Sequence, residues 1–267
     1  MKAVIEILKE QIKYVNLIFR LASYDIKSKY HEHYLGIAWQ FLNPAVRVFV
    51  YWFVFGLGIR GGKPVGDTPF FIWLLVGLIP WFFISPSIVQ GSNSVYQKVS
   101  LVSKMKFPVS ILPSITIVGQ LFNFLVMLVL LGLIVTFYGV NPGIYLLQLP
   151  YYILCVILFL FSLTLLFSTI ATIFRDFQVM LQSLIRMLMY VLPIIWDTSK
   201  LPVLYQNLLK LNPIYYLITG FRDTFFGHKW FFEDWVYMSY FWITTLLILY
   251  IGSQVHIKFR KQFVDYI

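Results

Sequence analysis

The chain has 267 residues, of which 60% are hydrophobic, 19% aromatic and only 12% charged. A soluble domain carries roughly 25% charged residues, so this composition excludes an ordinary water-soluble globule and indicates a polytopic membrane protein. The net charge of +10 does not mark a nucleic-acid binder, because the basic residues lie between apolar runs, as positive-inside loops do.

Residues 2–29 predict an amphipathic helix at the membrane surface. Ile5, Leu8, Ile12, Val15, Phe19 and Ala22 recur at steps of three and four, with charges between them. Packing of that helix on the chain's own bundle is compatible with this reading. Lys2, Glu6, Lys9, Glu10 and Lys13 interrupt the hydrophobes, so no cleaved signal peptide is expected. Cys155 is the single cysteine, which excludes an intrachain disulfide.

The expected fold is an all-α membrane protein: a cytosolic interfacial helix over residues 1–35, then a transmembrane domain over 36–267. Apolar length places six spans near 36–59, 69–91, 109–138, 149–173, 178–196 and 235–255. Residues 197–234 hold apolar runs too short to span, broken at Asn212-Pro213 and Gly220. They read as re-entrant or interfacial helices on the outer side. With the N-terminus inside, the cytosolic segments carry 13 of the 21 Lys and Arg residues. The outer segments carry six: Arg60, Lys63, Lys200, Lys210, Arg222 and Lys229. The bias puts both termini in the cytosol.

Arg47 and Arg186 fall inside spans. In the first span Gln40, Asn43, Arg47 and Tyr51 recur at steps of three or four and share a helical face. Arg47 lies roughly 16 Å into that span, where an isolated cation costs several kcal/mol. In the fifth, Gln178, Gln182, Arg186 and Tyr190 recur every four residues. These faces suit a conduit wall offering guanidinium donors to phosphate and amphipathic rings to sugar or polyol. The alternative is that backbone carbonyls or hydroxyls between helices satisfy each arginine, or that it snorkels. Most tryptophans lie near span ends, as interfacial belts do.

No Asp, Glu or His falls inside a proposed span, which argues against a proton-driven carrier or an intramembrane hydrolase. No G-x-x-x-x-G-K-[ST] phosphate loop occurs, so any ATP use requires a separate chain. No catalytic or metal-ligating constellation is expected. The cluster His31, Glu32 and His33 leaves a membrane-bound polyprenyl-phosphate transferase as a lower alternative. On the cytosolic side, residues 92–108 alternate hydroxyls and lysines with Val95, Val99, Leu101, Val102 and Met105. They suit either a short amphipathic helix docking in a partner's groove or a solvated linker.

The motifs YLGIAWQFLNPAVRVFVYWFVFG, GLIPWFFISPSIVQGSNSV, KMKFPVSILP, FRDFQ and LNPIYYLITGFRD occur in this order. Together they resemble the permease subunit of ABC-2 type exporters of lipid-linked cell-surface polysaccharides. The stretches around Arg47 and Trp81 are most similar to wall teichoic acid exporter permeases, with O-antigen and capsule exporters as near relatives. The resemblance implies a homodimer in a bacterial plasma membrane, paired with two cytosolic ABC ATPase subunits that bind ATP and Mg. It implies movement of a polyprenyl-diphosphate-linked polymer to the outer face. The N-terminal helix and the 92–108 segment, with Tyr96, Lys98, Lys104, Lys106 and Phe107, would then contact the ATPase.

Overall fold

The computed structural model describes residues 1–30, 34–59, 63–66, 68–98, 108–260 and Phe263. Among them the chain is helical, with an isolated bridge between Val65 and Thr68. The helices are α1 (Lys2–Lys13), α2 (Val15–Tyr30), α3 (Trp39–Tyr51), α4 (Phe70–Ser92), α5 (Ser94–Gln97), α6 (Leu112–Phe137), α7 (Leu149–Ile173), α8 (Asp176–Val191), α9 (Val203–Lys210), α10 (Pro213–Phe226) and α11 (Trp235–Phe259).

Prolines and caps set many of these boundaries. Pro113, Pro150 and Pro213 occupy first-turn positions of α6, α7 and α10, where a missing N–H costs nothing. Asn212 caps α10 by accepting from the Ile214 N–H at 3.0 Å, and Asp234 caps α11 through the Tyr237 N–H at 3.1 Å. Gly227 ends α10 in the left-handed region at φ 66°, a conformation cheap only for glycine.

Among the described residues four segments are long and apolar enough to cross a membrane: Phe70–Ser92, Val109–Phe137, Gly143–Ile173 and Trp235–Phe259. The first and fifth expected spans differ from these. Residues 36–59 form a 3-10 turn, then α3, then a π-helical stretch Trp52–Ile59. Helix α8 has 16 residues, about 24 Å at 1.5 Å per residue, against a hydrocarbon core of roughly 30 Å. Polar side chains and short length keep both out of the set that hydropathy alone identifies.

Helix α4 is the hub. It packs against α6, α7, α8 and α10, while α7 lies along α11. Buried hydroxyls on α7 are self-satisfied: Ser162, Thr164, Thr169 and Thr172 each donate to a carbonyl four residues earlier, the usual solution where water is absent.

The N-terminal segment is two helices rather than one, broken at Tyr14. It docks on the bundle through a different face from the expected membrane stripe. Ala3, Ile7, Ile18 and Ala22 are buried, whereas Ile5, Leu8, Ile12, Val15 and Phe19 are exposed. Only Ala22 belongs to both sets. Polar contacts hold the docked side: Gln11 donates to the Ser110 carbonyl at 3.1 Å, Ser114 donates to Gln11 at 2.7 Å, and Arg260 pairs with Glu6 and Glu10. The outward apolar stripe is left free for a bilayer surface.

Candidate functional site

Helices α3 and α8 both run antiparallel to α4. Trp52 meets Phe71 and Arg47 approaches Phe82, while Gln178 meets Val89 and Ile194 meets Gly77. The two arginine-bearing helices are therefore parallel to each other. The Tyr51 hydroxyl donates to Met189 Sδ at 3.2 Å, and Tyr51 lies within electrostatic reach of Arg47 and Tyr190. One turn earlier on each helix, Arg47 and Arg186 come to about one level.

On α3, Asn43 and Arg47 are exposed and Tyr51 is half-buried. The Gln40 side chain lies outside those described. The Arg47 guanidinium is 6.0 Å from the Phe82 ring centroid, at the edge of cation–π range. Asn43 and Arg47 open onto a pocket of about 180 Å³ whose other walls come from α4 and α6.

On α8 the four-residue recurrence divides. Gln178 turns inward, donating to the Val89 carbonyl at 2.8 Å and accepting from Ser92 at 2.7 Å. It fastens α8 to α4. Gln182, Arg186 and Tyr190 point outward from the single chain, opposite buried Leu181, Ile185 and Met189. Among the described residues Arg186 finds only Ser183, on its own helix, at 3.2 Å.

Two features lie outside the stripes that carry Arg47 and Arg186. Gln90, Gln120 and Asn123 line the Arg47 pocket, with Gln120 donating to Gln90 at 2.9 Å. The Asn123 Oδ1 is buried with no donor. The signal was present, since these are isolated amides in otherwise apolar helices. The second is Arg222, which charge counting places in an outer loop. It is buried on α10 at 8% exposure, stacked 3.5 Å from the Trp73 ring centroid, and donates to the Ile194 carbonyl at 3.1 Å. Gly77 makes room: a Cβ there would stand 2.8 Å from Arg222 Nη2.

At the end of the bundle carrying α1, the expected coupling residues separate. Tyr96, on the one-turn helix α5, lies under the Arg175 guanidinium at 4.4 Å. Lys98 pairs with Asp25 of α2. Lys104, Lys106 and Phe107 lie outside the described residues, as do His31, Glu32 and His33. Among the described residues no group of three His, Cys, Asp or Glu side chains comes together to hold a metal.

Comparison with known proteins places the chain. It is 27% identical over 263 residues to an O-antigen export system permease protein, RfbA, of Myxococcus xanthus, covering 98% of this chain and 99% of the relative. A Klebsiella pneumoniae protein of the same name is 24% identical over 251 residues, 94% of each chain. The polysialic acid transport protein KpsM of Escherichia coli is 24% identical over 237 residues, 87% of this chain and 89% of the relative. The family model for ABC-2 type transporters matches residues 16–226, most of the chain and all of α3 to α10. The chain belongs to the ABC-2 type transporter family.

Proposed function

We propose that the chain is the transmembrane permease subunit of an ATP-driven exporter of lipid-linked cell-surface polysaccharide. One observation carries this reading: end-to-end similarity to permeases named for O-antigen export and to one named for polysialic acid transport. These names favour an O-antigen-like or capsular glycan. Wall teichoic acid rests on the motifs around Arg47 and Trp81 alone and is the narrower alternative.

The missing phosphate loop requires a partner ATPase, proposed as two cytosolic copies that hold ATP and Mg. In this reading α3 with its π-helical extension and α8 complete six spans, and α9 and α10 form the outer re-entrant pair. Both termini are cytosolic, and α1 and α2 rest on the inner membrane surface beside the ATPase. Gln182, Arg186 and Tyr190 on an outward face are costly against lipid. A second copy facing them would remove that cost, which supports a homodimer whose interface would be the polymer conduit, with Gln40, Asn43, Arg47 and Tyr51 completing its wall.

The test is ATP hydrolysis by the chain and its ATPase in lipid nanodiscs, with lipid-linked neutral glycan, anionic glycan or polyol-phosphate polymer added. Selective stimulation by a glycan is expected. Stimulation by polyol phosphate alone would select teichoic acid, and no response to any polymer would overturn the export reading.

A further inference from the structure

The charges of α1 and α2 are sorted by face. The three carboxylates of these helices are all engaged by the rest of the chain. Arg260 pairs with Glu6 and Glu10, the Ser110 hydroxyl also donates to Glu10, and Lys98 pairs with Asp25. The cations Lys2, Lys9, Lys13, Arg20 and Lys27 are exposed. Among the described residues none of the five has an ion pair or hydrogen bond, and Lys13 rests 5.3 Å from the Tyr14 ring centroid. Geometry explains the sorting on α1. At 3.6 residues per turn, the docked Ala3 and Ile7 are followed around the helix by Glu10 and Glu6, then by Lys13, Lys2 and Lys9, and then by exposed Ile5, Ile12 and Leu8. The lysines thus edge the apolar stripe, and the acids stand beyond them next to the bundle. On α2, Arg20 and Lys27 lie two turns apart, roughly 10 Å, opposite the buried Ile18 and Ala22. Exposed Phe19 and Tyr24 flank them, and with Ser23 these residues line one open hollow on α2.

We propose that this outward face binds the anionic phospholipids of the inner leaflet, the apolar stripe entering the interface and the five cations taking headgroups. Charge complementarity carries the choice of partner. A zwitterionic leaflet serves the apolar stripe alone. A negative leaflet also attracts each unpaired cation, worth roughly fivefold in occupancy per Lys or Arg near the surface. Lysines that edge an apolar stripe lay their stems in the interface and hold their ammonium groups at headgroup level, a geometry that a leaflet fits better than the surface of the ATPase does.

The placement of α1 and α2 on the inner membrane surface rests on the export reading above, whereas the preference for negative charge rests on the sorting of side chains alone. The same acid pairs make lipid charge an input to the rest of the molecule. Glu6 and Glu10 tie α1 to Arg260 at the end of α11, and Asp25 ties α2 to Lys98 at the end of α5. A headgroup held at Arg20 and Lys27 therefore steadies α2 against the segment that carries Tyr96.

The test is amide hydrogen exchange of the full chain, alone and with its ATPase, in nanodiscs of phosphatidylcholine or of phosphatidylcholine mixed with phosphatidylglycerol. Phosphatidylglycerol is expected to slow exchange in α1 and α2 by roughly fivefold or more, with or without the ATPase. The gain should vanish in about 1 M salt, where the screening length falls to about 3 Å. Arg20→Gln/Lys27→Gln should lose most of the gain in α2, and Arg20→Lys/Lys27→Arg should keep it. Exchange in α7 serves as the check that each variant is folded, and the wild-type comparison of the two bilayers stands without any variant. Equal exchange in the two bilayers would overturn the proposal, as would a phosphatidylglycerol effect that survives loss of both cations. Protection that arises only with the ATPase, and is alike in both bilayers, would assign the face to the ATPase instead. No polymer is present in these samples. A charge-sensitive α2 in a complex that ignores every glycan keeps the lipid surface and sinks the export reading, and the reverse result sinks the lipid surface alone.

Discussion

Arg222 and Arg47 are both cations among apolar helices, and they are treated in opposite ways. Arg222 is buried at the junction of α10 and α4, stacked on Trp73, hydrogen-bonded to Ile194 and given space by Gly77. Arg47 sits at the α3 edge, exposed, 6.0 Å from Phe82 and otherwise without a protein partner among the described residues. The first arrangement holds α10 against the hub. The second leaves a charge for something the chain does not itself supply. Arg222 is packed in and hydrogen-bonded by the chain, even though its Nε has no partner among the described residues, and so reads as structure; Arg47 is left open and reads as function.

Substitutions should separate the two. Arg222→Ala removes a buried, stacked side chain and strips the Ile194 carbonyl of a donor. It should cost about 3 kcal/mol or more, read as a lowered melting temperature and poor recovery of the purified chain. Gly77→Ala presses a methyl group against Arg222 Nη2 and the Ile194 carbonyl. It should cost about 1–3 kcal/mol by the same measurement, and a combined Gly77→Ala/Arg222→Ala variant should lose less than the sum. Arg260→Gln breaks two part-exposed pairs to Glu6 and Glu10. Such pairs contribute up to about 1 kcal/mol each, so the expected sign is faster amide exchange in α1 with little change in melting. Arg47→Ala should shift stability by less than about 0.5 kcal/mol. A large loss of stability there would place Arg47 with Arg222 and undo the distinction.

Long apolar runs are legible because length is the only thing a bilayer asks of a helix, and α4, α6, α7 and α11 fall within a few residues of where they are expected. Which face of a helix meets protein is not legible in the same way. Ile5, Leu8, Ile12, Val15 and Phe19 form the more regular stripe, yet the chain docks through Ala3, Ile7, Gln11 and Ile18. Lipid and protein interior are both apolar, so periodicity cannot tell them apart. The stripe on α8 likewise reads as one face until Gln178 is seen to fasten the helix to Val89 and Ser92. The amides of Gln90, Gln120 and Asn123 are visible one at a time, but their meeting depends on the register of α4 against α6, which no local pattern encodes.

The central claim is that the unsatisfied arginines serve transport. The direct measurement is polysaccharide export by Arg47→Ala/Arg186→Ala, assembled with its ATPase at wild-type levels. Export should be lost while assembly and melting are retained. Unchanged export from that assembled variant would contradict it.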